Sequence, residues 1–409
     1  MAVAARLLEQ RLNADLSDHS APSLPCACGA WARYAGRRDK RFLTVLGEMH
    51  LSRAYYHCPR CDRGFCPRDR ALGMSETSLS PALVRMVGAV GAAVSFQEGS
   101  CLLHELAAVD VDPKRVEREA ERLGAEIAGD EKSSQQPTDL HPLARTLYMA
   151  VDGTGVPMHR SELVGRHGKQ PDGSAKTREA KLCAIWTAES RDEQGHPVRD
   201  PGSVSYTAAI ETAASPDASP NNSPFAERVL REGRRRRFDE AQRRVLLGDG
   251  APWIWKLAEI YLPQAIQIVD LFHAKQRLSD IAKAIYGPTS HLAVAWAKRR
   301  HAELDNGRIK SILKALSRFA SHSREAQNGI AYVRTNRHRM QYPRFRAQGL
   351  CTSSAVIEAG CKLVVGARFK RAGMHWTAAG ANSILALRCC RLSGRFEDFW
   401  ERRSHPQAA

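Results

Sequence analysis

The 409-residue chain has no stretch that approaches the ~20 consecutive apolar residues of a membrane span, so nothing in it asks for a bilayer. Its first residues, MAVAARLLEQRLNADLS, lack both the basic start and the long apolar segment of a secretory leader. They predict a short amphipathic helix in a cytoplasmic protein. There is no Gly-x-x-x-x-Gly-Lys-Ser/Thr phosphate loop, no Gly-x-Ser-x-Gly elbow and no His-Glu-x-x-His helix, which leaves nucleotide-driven and common hydrolase chemistries without support. No internal repeat marks a solenoid. Acidic charge is short as well: 44 Asp and Glu stand against 61 Lys and Arg, a net +17 that calls for an anionic partner and favours nucleic acid over lipid. The length allows two to three domains and a sizeable core.

Three of the scarce acids occupy unusual places. Asp152 ends the apolar run Leu147 to Val151 and is followed by Gly153, Thr154 and Gly155, where a charge is costly unless something binds it. Asp249 repeats the arrangement after Val245 to Leu247, between Gly248 and Gly250, and Glu358 lies in SSAVIEAGCK. Carboxylates from separate elements are what two divalent cations over a phosphodiester require. Ordinary Asp-Gly turns are the alternative for the two aspartates. Strands are predicted at 146 to 158, 181 to 188 and 203 to 211, a helix from Phe225 to about Arg235, a strand at 245 to 249, a helix from Trp253 and a strand at 265 to 269. This β-β-β-α-β-α-β series is a ribonuclease-H-like order, so the expected fold class is α/β with that core spanning about 140–400. A basic helical insertion, about 275–345, separates the fifth strand from Glu358. Glu303 and Asp305 inside it are rival acids, set aside because their Lys- and Arg-rich surroundings look solvated.

Cysteines divide into two kinds. Cys101, Cys183, Cys351, Cys361, Cys389 and Cys390 are scattered through apolar segments and read as small core residues. Cys26, Cys28, Cys58 and Cys61 instead form a Cys-x-Cys and a Cys-Pro-Arg-Cys pair, the pattern of a zinc-ribbon-like module holding one structural Zn²⁺, with Cys66 or His57 as substitute ligands. That module and the N-terminal helix occupy 1–79.

Residues 80–130 predict three helices, opened by Ser80-Pro81, by the capping-box pair Ser95 and Glu98, and by Asp112-Pro113, with a Gly-rich linker from about Gly129 to Pro137. A helix-turn-helix-like module would place Lys114, Arg115 and Arg118 at a major groove; a plain helical hairpin with a solvated charged face is the alternative. Arg234 to Arg237 form a basic block with the look of a solvated face or loop tail. Arg337, Arg339 and Arg344 interleave with Tyr332, Tyr342 and Phe345 and suit DNA better, and Lys362, Arg368, Lys370 and Arg371 continue that surface beside Glu358. The stretch 213 to 224 is a polar loop too poor in apolar residues to pack.

The segments LGDGAPWIW (Leu247 to Trp255), Asp-Leu-Phe-His at 270 to 273, NRHRMQYPRFRAQGL (Asn336 to Leu350) and, most specifically, VIEAGCKLVVGARFKRAGMHW (Val356 to Trp376) resemble bacterial insertion-sequence transposases of the Kra type, in the Mutator-like group of DDE transposases. The resemblance covers nearly the whole chain. It implies Asp152, Asp249 and Glu358 as a catalytic triad holding two Mg²⁺ (or Mn²⁺), and it matches Asp270 and His273 to a C/D-x-x-H signature. Asp270 as a simple helix N-cap and His273 as a core histidine are the plainer readings. The implied activity is cleavage of mobile-element ends and their joining to target DNA by a nucleoid-associated homo-oligomer. The partners would be double-stranded terminal inverted repeats and target DNA. A domesticated, non-catalytic DNA-binding regulator and a metal-dependent nuclease without strand transfer are the alternatives.

Overall fold

The structure is a computed structural model that describes residues 2–133, 144–168, 170, 172–210 and 223–404. These fall into two units, Met1–Ala128 with Glu397–Ala409, and Gly129–Phe396.

In the first unit a helix, Ala2–Ala14, precedes an antiparallel sheet of β1 (Ser23–Pro25), β2 (Trp31–Thr44), β3 (Gly47–Cys58) and β4 (Arg63–Phe65), in that spatial order. The sheet has two small cores, one of Ala32, Ala54, Tyr56 and Cys58 and one of Phe42, Leu51 and Met74. Three helices follow, Pro81–Ala93, Phe96–Ala107 and Pro113–Ser133. Ser80 caps the first by accepting from the Leu83 N–H, and Ser95 with Glu98 closes a full capping box on the second. Gly91 permits close approach of the first and third helices: a Cβ there would sit 2.6 Å from that of Ala120. The third helix runs through Gly129, where a linker was expected to begin. Its buried stripe of Val116, Ala120, Leu123, Gly124 and Ile127 has helical spacing, and the helix carries one exposed glycine near its end. Residues 134 to 137 of the expected linker lie outside the described residues.

The second unit is a mixed α/β fold around a five-stranded sheet. Its strands are β5 (Thr146–Pro157), β6 (Thr177–Thr187), β9 (Ser205–Ala209), β10 (Arg243–Gly248) and β11 (Ile266–Val269), ordered β11-β10-β5-β6-β9. β6 runs antiparallel to both β5 and β9, whereas β10 is parallel to β5 and β11. Between β6 and β9 a small hairpin of β7 (Ser190–Arg191) and β8 (Pro197–Val198) intervenes. β5, β6 and β9 carry near-continuous buried runs, the mark of a sheet covered on both faces. The edge strand β9 is tied to the helix Ala378–Leu392 and the turn beyond it, because the Ile210 N–H donates to Asn382 Oδ1 (2.7 Å) and the Tyr206 N–H to Ser393 Oγ (2.8 Å). Glu211, the expected end of this strand, and the polar loop through residue 222 lie outside the described residues.

Five helices, Leu271–Tyr286, His291–Asp305, Ile309–Ser317, Arg324–Asn336 and Tyr342–Ala347, fill the segment expected as an insertion. The chain then forms one bent helical stretch: Ala355–Gly360, a π turn Cys361–Gly366, and Ala367–Phe369.

Of the four-arginine block before β10, expected as a solvated face or tail, Arg234 is exposed but the other three are engaged. Arg235 pairs with buried Glu232 at 2.7 Å, Arg236 donates to the Ser203 carbonyl at 2.7 Å, and Arg237 pairs with Glu240 at 2.5 Å. Glu232 also meets Arg395 at 2.9 Å. Burial opposes the charge on Glu232, yet Arg395 and Arg235 outweigh it and hold the carboxyl below its ordinary range. Glu232→Gln should therefore leave buried cations short of a counter-charge and cost about 3 kcal/mol, read as a lowered midpoint in chemical denaturation. The loss should shrink as pH falls below the carboxylate range, where the wild-type group also protonates.

Candidate functional site

Strand register brings the two aspartates together. Leu247 of β10 pairs with Ala150 of parallel β5, so two residues further along each chain Asp249 and Asp152 emerge side by side at the sheet's end. The Asp-Gly at 249 and 250 is more than a turn. Gly250 has φ +100, and a Cβ there would lie 2.5 Å from the Tyr332 ring, whose hydroxyl donates to the Asp249 carbonyl at 3.1 Å. Asp249 is exposed and accepts from the Ala251 N–H at 2.8 Å. Burial pushes the Asp152 carboxyl up and the Asp249 charge adds to the rise, while the Gly153 N–H and the Cys361 thiol pull the other way.

Asp270 and His273 link these acids to Glu358. Asp270 is fully buried, caps the helix Leu271–Tyr286 through the His273 N–H (2.7 Å), and accepts a second bond from the Ser354 N–H. Its own N–H donates to the Gly248 carbonyl at 2.8 Å, and the Leu271 N–H donates to the Thr352 carbonyl at 3.0 Å. Through its amide and its buried carboxylate, Asp270 thus fastens the end of β10, the start of the inserted helices and the loop that returns to Glu358. That geometry lets a large insertion separate Glu358 from β11 in sequence without moving it away in space. Burial disfavours the Asp270 charge, but the His273 and Ser354 bonds prevail and keep its carboxyl low. The N-cap reading of Asp270 holds, and the residue does more besides.

His273 Nδ1 lies 3.1 Å from Asp270 Oδ1 and 3.8 Å from Glu358 Oε1. The Asp270 hydrogen bond, with further support from the Asp249 and Glu358 charges, raises this imidazole to about 9, so it is a cation at neutral pH. Asp270, His273 and Glu358 have ligand atoms within 4.8 Å of one another. Asp270 already accepts three protein hydrogen bonds, which makes it a support for the cluster rather than a free ligand.

Cys361, expected as a core residue, donates its thiol to Asp152 Oδ2 at 3.5 Å. It sits three residues after Glu358, a spacing that puts both on one helical face, and this was the available signal in the sequence. The π turn beginning at Cys361 leaves carbonyls out of the usual ladder, and Arg388 Nε donates to one of them, that of Val364, at 2.8 Å. Lys370 Nζ donates to Thr154 Oγ1 at 2.6 Å, joining the end of the bent helix to β5. The rival acids are engaged elsewhere: Glu303 is half-buried against Arg300 (2.7 Å), and Asp305 pairs with Lys275 (2.7 Å) and Arg346 (2.9 Å).

In the first unit, Cys26, Cys28, Cys58 and Cys61 bring their sulfurs within 4.8 Å of one another. The Cys26–Cys61 and Cys28–Cys58 separations are each 3.6 Å, close to the ~3.8 Å edge of a tetrahedron with ~2.3 Å zinc–sulfur bonds. The donor set fits Zn²⁺. Tight turns present the thiols, with Gly29 (φ +80) after the first pair and Asp62 (φ 56) after the second. The Cys61 amide lowers Cys58 to about 6; at Cys61 the Arg63 amide pulls down, but burial and the crowd of sulfurs push it up to about 12. His57 pairs with Asp62 at 3.0 Å and Cys66 precedes the helix Pro67–Ala71, so neither joins the four.

The expected DNA-facing cations divide. Lys114, Arg118, Arg337, Arg344, Lys362 and Lys370 are exposed; Arg115 is half-buried and donates to Ser78 Oγ at 2.6 Å, and Arg371 is half-buried. Arg339 and Arg368 are corrections. Arg339 is buried over the Trp255 ring and bonded to Gln267 (2.7 Å) and Glu259 (3.3 Å); Arg368 is fully buried over Trp376. Tyr342 and Phe345 also turn inward, their apolar bodies being part of the core. An alternation of cations and aromatics shows composition, and only packing shows which of them face solvent.

This is a mixed α/β protein with a four-cysteine cluster and an acid cluster at a sheet end. The chain belongs to the uncharacterised protein family UPF0236, whose model matches residues 32–403. That span contains Asp152, Asp249, Glu358, Cys58 and Cys61, and begins after Cys26 and Cys28. No curated protein matches the chain at a significant level. Among the described residues no helix is long and apolar enough to cross a membrane.

Proposed function

We propose that this chain is a DNA transposase with a ribonuclease-H-like catalytic core, cutting the ends of a mobile element and joining them to target DNA. The observation that carries the reading is that Asp152 of β5 and Asp249 at the end of β10 lie side by side, while Asp270 and His273 tie the end of β10 to Glu358, in a sheet ordered β11-β10-β5-β6-β9 with β6 antiparallel to its neighbours. Asp152, Asp249 and Glu358 would supply the hard oxygen donors that Mg²⁺ or Mn²⁺ takes, and burial, with the Asp249 charge adding to it, raises the Asp152 carboxyl, a penalty that a bound cation relieves. Two such ions would supply Lewis acidity for water and then a 3′-hydroxyl to attack phosphorus. Asp270 holds His273 against Glu358, Cys361 fixes one oxygen of Asp152, and Lys370 with Lys362 offers positive charge to a phosphate backbone nearby. The first unit, with its zinc-ribbon-like sheet and Lys114 and Arg118 on the third helix, would grip the duplex, and a homo-oligomer would pair two element ends.

The deciding experiment is incubation of the purified protein with its element's terminal fragment in Mg²⁺. Strand cuts at the element ends followed by joined products are expected; cuts without joining would leave a nuclease, and tight binding without cuts a regulator. Binding itself should be dominated by phosphate contacts. If the six exposed cations each meet one phosphate, affinity should drop about 10³-fold between ~50 and ~200 mM salt. A flat salt titration would remove DNA as the partner.

A further inference from the structure

The inserted helices enclose a groove of about 320 Å³ within the second unit, lined by Tyr286, Trp296 and Phe319 and by Arg299, Arg300 and Arg318. The facing helix surfaces beside it are built from small residues: Ala282, Ala293 and Ala297 form the local core, and Tyr286 and Trp296 pack against it while staying partly exposed. Tyr286 and Phe319 meet edge to face at 5.6 Å, which holds the wall rigid. Arg300 lies over the Trp296 ring at 5.2 Å and is 6% exposed, and its Nε has no hydrogen-bond partner among the described residues. Arg299 is largely exposed at the rim, 3.7 Å from Glu303, and Arg318 has no acidic partner among the described residues. Aromatic faces beside guanidinium groups suit a ligand that is flat, apolar on its faces and anionic at its edge.

We propose that this groove binds a nucleobase, stacked on Trp296, together with its adjoining phosphate on Arg318 and Arg299. The ligand is a nucleotide unit, from either a single-stranded nucleic acid or a free mononucleotide. The proposal goes beyond the catalytic reading and does not use the acid cluster.

The test uses the full-length protein and dye-labelled single strands of deoxyadenylate, matched with strands of equal length that lack bases, and adenosine monophosphate as competitor. Wild type should prefer the base-bearing strand about tenfold. Trp296→Ala should bring that preference close to unity, Trp296→Phe should retain most of it, and Arg318→Gln should weaken both strands several-fold. Displacement by adenosine monophosphate makes a free nucleotide a ligand; its failure, with the strand preference intact, makes the strand the source. Equal binding of the two strands by wild type overturns the proposal, as does an unchanged preference in Trp296→Ala. Should that variant unfold, an unchanged affinity in the surface variant Arg318→Gln overturns it instead, and a several-fold loss supports it. Glu358→Gln should keep the full base preference. Wild-type protein that shows the preference yet never cuts DNA would remove the transposase reading and leave the groove, and wild-type protein that cuts DNA without the preference would remove the groove alone.

Discussion

Glu358→Gln is expected to abolish Mg²⁺-dependent strand cleavage, by about 10³-fold or more, while leaving duplex affinity within about twofold of wild type. The substitution keeps the shape of the side chain and removes its charge. A neutral amide is a poor ligand for a hard dication, and each ~1.4 kcal/mol lost from transition-state stabilisation costs tenfold in rate. Folding should survive, because Glu358 is partly exposed and its nearest ionic partner, His273 at 3.8 Å, keeps its stronger bond to Asp270 at 3.1 Å. The control is Glu303→Gln. Glu303 is occupied by Arg300 at 2.7 Å, so that variant should lose stability and retain cleavage. Normal cleavage by Glu358→Gln with a dead Glu303→Gln would show the third acid to be misassigned.

The second large effect concerns the cysteine cluster. Protein purified without chelator should contain one zinc per chain, and Cys58→Ser should lose it and unfold the sheet β1–β4 while the second unit stays folded. The buried core beside the cluster is Ala32, Ala54, Tyr56 and Cys58 itself, with Leu24, Tyr34 and Phe65 partly buried against it, and the far end of the sheet adds only Phe42, Leu51 and Met74, so the apolar contribution is small. Structural zinc contributes roughly 10–16 kcal/mol in small modules, which is as large as the whole stability of an ordinary domain. Amide hydrogen exchange reads the outcome: protection should vanish across residues 23–65 and persist across β5, β6 and β10. Protection unchanged in Cys58→Ser, or elemental analysis without zinc, would rule the metal out.

Local patterns of the sequence foretold much of this. The capping residues Ser80, Ser95 and Asp112 announced three helices, and apolar runs ending in Asp-Gly announced β5 and β10, because caps and periodicity act over a few residues. The two cysteine pairs likewise announced the cluster, since thiols at such spacing have few other uses in one short module. The acids Asp152, Asp249 and Glu358 stood out for a related reason: a charge at the end of a buried run demands an explanation.

Tertiary structure decided what lies opposite what. Parallel register between β5 and β10 set Asp152 beside Asp249, and buried Asp270 returned the chain to Glu358 after the insertion. Arg339 and Arg368 looked like a DNA surface and Arg235 and Arg236 like part of a solvated face, yet all four became internal struts, because a guanidinium finds carbonyls, carboxylates and rings only when distant segments meet. Cys361 gained its contact with Asp152 in the same way. By itself the sequence determined the elements and the chemical groups they carry, through interactions a few residues long; only the packing of segments far apart in the chain decided which charges are buried in pairs and which remain free for a partner.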